Sequence, residues 1–204
     1  MVSGGSPGRA SRGAFSLMAQ SSFFVRRSLA ALGALVVVAG TARAQGSGPA
    51  SQPIEASWLR VDSAKKTADF QLTAGLTGLN GALNFNGFRD GGLTLTVPLN
   101  WTVELHFLNH DGMLPHSAEV IGDQNPVPTN PIPPAFDRAA TTMLQDGLTS
   151  GQTDVVKFLA NKAGSFLVFC GVPGHGAAGM WIRLKVESTV TVPTLSATVA
   201  PKKP

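Results

Sequence analysis

An all-β fold, a sandwich or a barrel, is what the sequence predicts. Three observations carry that reading. Apolar and polar residues alternate over short runs, as at Leu93, Leu95, Val97 and at Val103, Leu105, Phe107, which is the pattern of half-buried strands. Turn-forming Gly, Pro and Asn residues separate the runs, as at Asn80-Gly81 and Arg89-Asp90-Gly91-Gly92. The composition, with 23 Gly, 14 Pro and no Tyr in 204 residues, suits strands and turns better than helices. Short strands at such spacing indicate a sandwich or barrel, with no internal repeat and no second domain.

The first 44 residues stand apart, with Arg9, Arg12, Arg26, Arg27 and Arg43 and no acid. Arg26-Arg27 precede the apolar run LAALGALVVVAG, and Ala42-Arg43-Ala44 follows it. A positive start, an apolar run of about 7–15 residues and an A-x-A exit describe a secretory signal peptide. A membrane span needs roughly 20 apolar residues, so membrane association is expected only if residues 1–44 stay uncleaved. The expected location is therefore periplasmic or extracellular. Residues 45–53 (QGSGPASQP) read as a flexible leader. The folded domain is expected over 54–187, and a mobile Thr/Val/Pro-rich tail over 188–204.

Within the domain, 54–61 and 67–73 read as strands around the polar turn Asp62-Ser63-Ala64-Lys65-Lys66. Leu83-Asn84-Phe85 leads to the Arg89-Asp90-Gly91-Gly92 turn and the strand at 93–97. In the next strand Thr102, Glu104 and His106 take the solvent row. His116 opens a run of strand character, SAEVIG. Residues 123–134 (DQNPVPTNPIPP) carry five prolines and cannot form an interior strand. Residues 135–145 (AFDRAATTMLQ) allow one short helix ending near Gly147. Val156, Phe158 and Ala160 then alternate with Val155, Lys157 and Leu159.

The stretch SFLVFC-GVPGHGAAG-MWIRLKV carries the chemistry. Cys170 closes one strand, His175 sits in a Gly-rich loop and Met180 opens the next strand, a Cys-x4-His-x4-Met spacing. Alternation puts Phe166, Val168 and Cys170 on one face and Met180, Ile182, Leu184 and Val186 on another single face. Two adjacent antiparallel strands would then hold both sulfurs at one end. Thiolate, imidazole and thioether are soft donors that favour copper, and two His, one Cys and a weak axial Met make the type-1 blue-copper set. A single Cys in an oxidising compartment is most economically explained as occupied by a metal, although a buried inert thiol is the bland alternative. The second imidazole must come from upstream. His116 lies at a strand entrance on the row of Ala118 and Val120, whereas His110 lies in the turn Asn109-His110-Asp111-Gly112. His116 is the better candidate and His110 its rival. Met143, at helical spacing, reads as packing.

Charge excludes little beyond nucleic acid. Outside the first 44 residues, 11 Lys plus Arg stand against 12 Asp plus Glu, a net charge of −1. No basic surface for nucleic acid is expected. A nucleophilic Cys170–His175 pair lacks an orienting partner and would leave Met180 unexplained, which argues against an enzyme.

The residues resemble a known family. Phe169-Cys170-Gly171-Val172-Pro173-Gly174-His175, Gly179-Met180-Trp181, Pro115-His116-Ser117 and Leu83-Asn84-Phe85-Asn86-Gly87 are similar to cupredoxins, and among them to sulfocyanins. That resemblance implies a Greek-key β-sandwich of about eight strands, here with one irregular Pro-rich insert and a short helix. It implies a single copper ion, with His116, Cys170 and His175 as equatorial ligands and Met180 as the axial one. It also implies a carrier of single electrons between redox proteins, such as a cytochrome or a terminal oxidase or reductase, docking at the His175 edge. A copper-delivery protein and an accessory module of a larger oxidase or reductase are the competing functions. Ser117 and Trp181 are expected to tune the site, by hydrogen bonding and by walling off solvent.

Overall fold

A computed structural model describes residues 53–198. The expected signal segment over 1–44, the leader before Pro53 and residues 199–204 lie outside the described residues. Nine strands form within them: β1 (Leu59–Asp62), β2 (Thr67–Ala74), β3 (Leu93–Pro98), β4 (Thr102–Asn109), β5 (Glu119–Gly122), β6 (Thr153–Leu159), β7 (Gly164–Phe169), β8 (Trp181–Glu187) and β9 (Thr194–Ala197). One sheet has the order β1-β2-β4-β6 and the other β5-β7-β8-β3-β9. From β2 to β7 each successive strand enters the opposite sheet, the path of a Greek-key sandwich. The pairs β2–β4 and β3–β8 are parallel, and the remaining neighbours are antiparallel.

Alternation in the sequence becomes the core. Phe70, Leu72, Val103, Leu105, Phe107, Val156 and Phe158 face inward from the first sheet. Leu95, Val97, Val120, Phe166, Val168, Ile182 and Leu184 meet them from the second. Each such side chain contributes about 1.5–3 kcal/mol on burial. β7 reads Phe-Leu-Val-Phe without alternation because both its faces are covered. Leu167 and Phe169 turn outward into a second cluster with Ile121, closed by Val127 and Ile132 of the Pro-rich insert and by Trp181.

Two expectations are corrected. The short helix expected over 135–145 does not form, and the 3-10 turn Ala56–Trp58 is the one helical element among the described residues. Arg138 and Met143 take left-handed backbone angles, φ 56° and 51°. The segment lies beside β5 instead, with Val120 N–H donating to Ala139 O and Thr141 N–H donating to Ala118 O, both at 2.8 Å. A helix of that length is marginal in isolation, and the strand offers its backbone better-placed partners. The tail expected to be mobile over 188–204 forms β9 at Thr194–Ala197, antiparallel to β3. An open β3 edge is a template for pairing, and Leu195 adds an apolar anchor against the core.

Candidate metal centre

The loop between β7 and β8 is wound by its own backbone. Cys170 N–H donates to Met180 O at 3.0 Å, Met180 N–H to His175 O at 3.1 Å and His175 N–H to Val172 O at 3.1 Å. This winding brings His175 Nδ1 to 3.6 Å from Cys170 Sγ. Gly179 makes it possible, with φ 101° and Asp90 Oδ1 2.6 Å from where a Cβ would stand.

His116 arrives from the other side. A backbone bridge to Leu148, at 3.0 and 2.8 Å, holds it just ahead of β5. Its Nδ1 lies 4.0 Å from Cys170 Sγ, and its ring centroid is 5.2 Å from that of His175. Donor atoms of His116, Cys170 and His175 all lie within 4.8 Å of one another. His116 and Cys170 are buried, and His175 is half-buried. Met180 is fully buried on the core row with Ile182 and Leu184, and its backbone is bonded to both Cys170 and His175. His110 is exposed in its turn and His106 lies on the outer row of β4, so neither joins the cluster.

Several residues that finish the site were not singled out by sequence reasoning. Asp111 Oδ2 stands 3.0 Å from His116 Nε2, buried within the turn that also carries His110. Asn109 shapes that turn: its Oδ1 accepts from Asp111 N–H, and its Nδ2 donates to Leu114 O and Leu148 O. The one available signal was a carboxylate five residues before the histidine. Asn80 and Arg89 brace the far side of the loop, both donating to Ala178 O. The Leu83-Asn84-Phe85-Asn86-Gly87 stretch positions them, because Asn84 and Asn86 are buried and tie their segment to its own turn and to β2.

Ser117 N–H donates to Cys170 Sγ at 3.4 Å. Its hydroxyl accepts from Gly171 N–H at 3.0 Å and donates to Leu144 O at 2.7 Å. Trp181 lies on the opposite face of β8 from Met180, stacked under Arg183 at 5.1 Å, and covers the second cluster rather than the donor atoms. Burial pushes the Cys170 thiol up to about 11, against the pull of the Ser117 and Val172 N–H groups. Burial also lowers His116, partly opposed by Asp111, and lowers His175, with the neighbouring His116 adding to the effect. Burial alone would raise Asp111, but the hydrogen bonds from His116, Met113 and Leu114 outweigh it and leave the carboxyl below its usual range. Both imidazoles are therefore held neutral at neutral pH, with a nitrogen lone pair available for a cation.

A family match agrees in extent with this fold. The Sulfocyanin (SoxE) domain family matches residues 55–197. The sulfocyanin of Sulfolobus acidocaldarius is 32% identical over 117 residues, covering 54% of this chain and 58% of that protein's length. Rusticyanin from Thiobacillus ferrooxidans aligns over 64% of this chain and 86% of its own, at 21% identity and a TM-score of 0.46. A reduced rusticyanin aligns over 64% and 91%, at 20% identity and a TM-score of 0.46.

Proposed function

This chain belongs to the sulfocyanin (SoxE) domain family, and we propose that it is a mononuclear type-1 blue-copper protein carrying single electrons between redox proteins outside the cytoplasm. One observation carries the reading. A cysteine sulfur and two imidazole nitrogens converge within 4.8 Å, with His116 and Cys170 buried and His175 half-buried. This donor set fits copper, since sulfur and imidazole are the ligands it prefers. His116, Cys170 and His175 would hold the ion, with the Met180 thioether as a fourth, weaker donor. Bound copper supplies the one-electron couple.

The chain's own residues do the rest. Asp111 fixes the tautomer and ring orientation of His116, leaving Nδ1 to face the sulfur. Ser117 N–H steadies the Cys170 sulfur, and its hydroxyl ties Gly171 to Leu144. Because burial keeps the free thiol protonated, metal loading releases its proton. Packing removes water from three of the four donors, so little solvent has to reorganise on electron transfer. His175 alone reaches the surface, ringed by Val172, Pro173, Gly174, Ala177 and Ala178. Met113, Leu114 and Met143 expose further apolar surface on the loops that flank His116. A redox protein docking at this edge of small residues would bury a small area and leave quickly, as transient redox encounters do. The signal-like segment at 1–44 supports export to the periplasmic or extracellular side. Among the described residues no helix is long and apolar enough to cross a membrane.

Loading with cupric salt is expected to give an intense visible band that ascorbate bleaches. Cys170→Ser should abolish the band with the far-UV β signature intact, and Met180→Leu should keep it while raising the reduction potential. A colourless loaded protein would sink the reading.

A further inference from the structure

On β2 and β4 the row opposite to the core points outward. Parallel pairing sets Asp69 against Glu104, and His106 lies two residues along β4 on the same face. One ligand atom from each of Asp69, Glu104 and His106 lies within 4.8 Å of the others. His106 Nε2 is 3.8 Å from Glu104 Oε2. Like charges directly opposite one another across a strand pair are destabilising, so this arrangement calls for a cation. Lys157 on β6 answers only part of that demand, with Nζ 2.6 Å from Glu104 Oε1. Asp69 Oδ1 is shut off from solvent and has no hydrogen-bond partner. Arg60 stands opposite Asp69 on β1, but among the described residues it forms no ion pair with that carboxylate. Asp69, with one carboxylate oxygen left unanswered, thus shares a cluster with the facing carboxylate and the imidazole.

We propose that Asp69, Glu104 and His106 form a second metal site, for a divalent cation of the Zn2+ class. Two carboxylates and one imidazole suit that class, and three protein ligands leave a fourth position to water. Glu104 and His106 are 20% and 35% exposed, which gives an ion a path in. The set contains no sulfur, so it discriminates against Cu(I), which takes thiolate and thioether. Cupric ion competes for any such site, and for that reason the test begins from protein already holding a single equivalent of copper.

Copper-loaded protein is titrated with Zn2+ by calorimetry while the visible band is recorded. A saturable step at a single Zn2+ per chain is expected, with the band unchanged. Asp69→Asn and His106→Asn should each remove the step; retention of the blue band in both variants shows that they are folded. Lys157→Met, which takes away the competing ammonium, should tighten binding severalfold. Absence of a Zn2+ step in the parent protein overturns the proposal, and so does a step that survives both substitutions or weakens with Lys157→Met. The visible band reports on the copper centre separately, so failure here is distinguishable from failure of the electron-carrier reading.

Discussion

Asp111 holds no metal in the proposed site, yet the orientation of His116 depends on it. The carboxylate takes one ring nitrogen and leaves the other facing Cys170. Outer partners of this kind are worth about 10–100-fold in metal affinity. Asp111→Ala is accordingly expected to weaken copper binding by about that factor while keeping the visible band. Competition with a chelator of known affinity measures it, and unchanged affinity would remove Asp111 from the site. The sequence marked Cys170, His175 and Met180 because imidazole and sulfur are rare and their spacing is local, and His116 because it lies on the inward row at a strand entrance. Asp111 escaped notice because a carboxylate in an Asn-His-Asp-Gly turn is the ordinary solvated case. Only folding buries it against a histidine five residues away.

Among the elements, β5 carries the least expected load. Glu119 sits there, buried, with neither carboxyl oxygen hydrogen-bonded. Burial pushes it up to about 7, offset only in part by the nearby Ile132 N–H. An acid raised in the folded state leaves stability intact below its unfolded value near 4.5 and erodes it as the pH climbs to about 7. Glu119→Gln should therefore match the parent near pH 4 and exceed it at pH 8 by on the order of 3 kcal/mol. Denaturant melts at the two pH values decide this, and a pH-independent difference would contradict it. The strands themselves were legible wherever one face met solvent, as in β2, β4 and β6. β5 and β7 were harder, because the Pro-rich insert buries their second face and erases the alternation. The expected helix over 135–145 failed for a related reason: its backbone found partners on β5.

At the scale of the molecule, the proposed ligands come from two places far apart in the chain. His116 lies at the entrance to β5, and the other three lie in the β7–β8 hairpin. A bound ion would cross-link them, so removing copper should lower the melting temperature. At a thousandfold excess over Kd the linkage is worth about 4 kcal/mol, or roughly 10 °C for a domain of this size. Thermal melts with and without copper test it, and coincident curves would argue that the site is not closed by the metal.

Local order determined the all-β class, the Cys-x4-His-x4-Met loop and the inward faces of its flanking strands. Those depend on alternation and spacing over a dozen residues, which the chain carries in itself. Tertiary structure decided that His116 rather than His110 meets the sulfur, that Asp111 backs it, and that β9 closes the β3 edge. It also set Asp69 against Glu104. Each of these is a contact between segments whose separation along the chain says nothing about their distance in space, so only the packing of two sheets could select them.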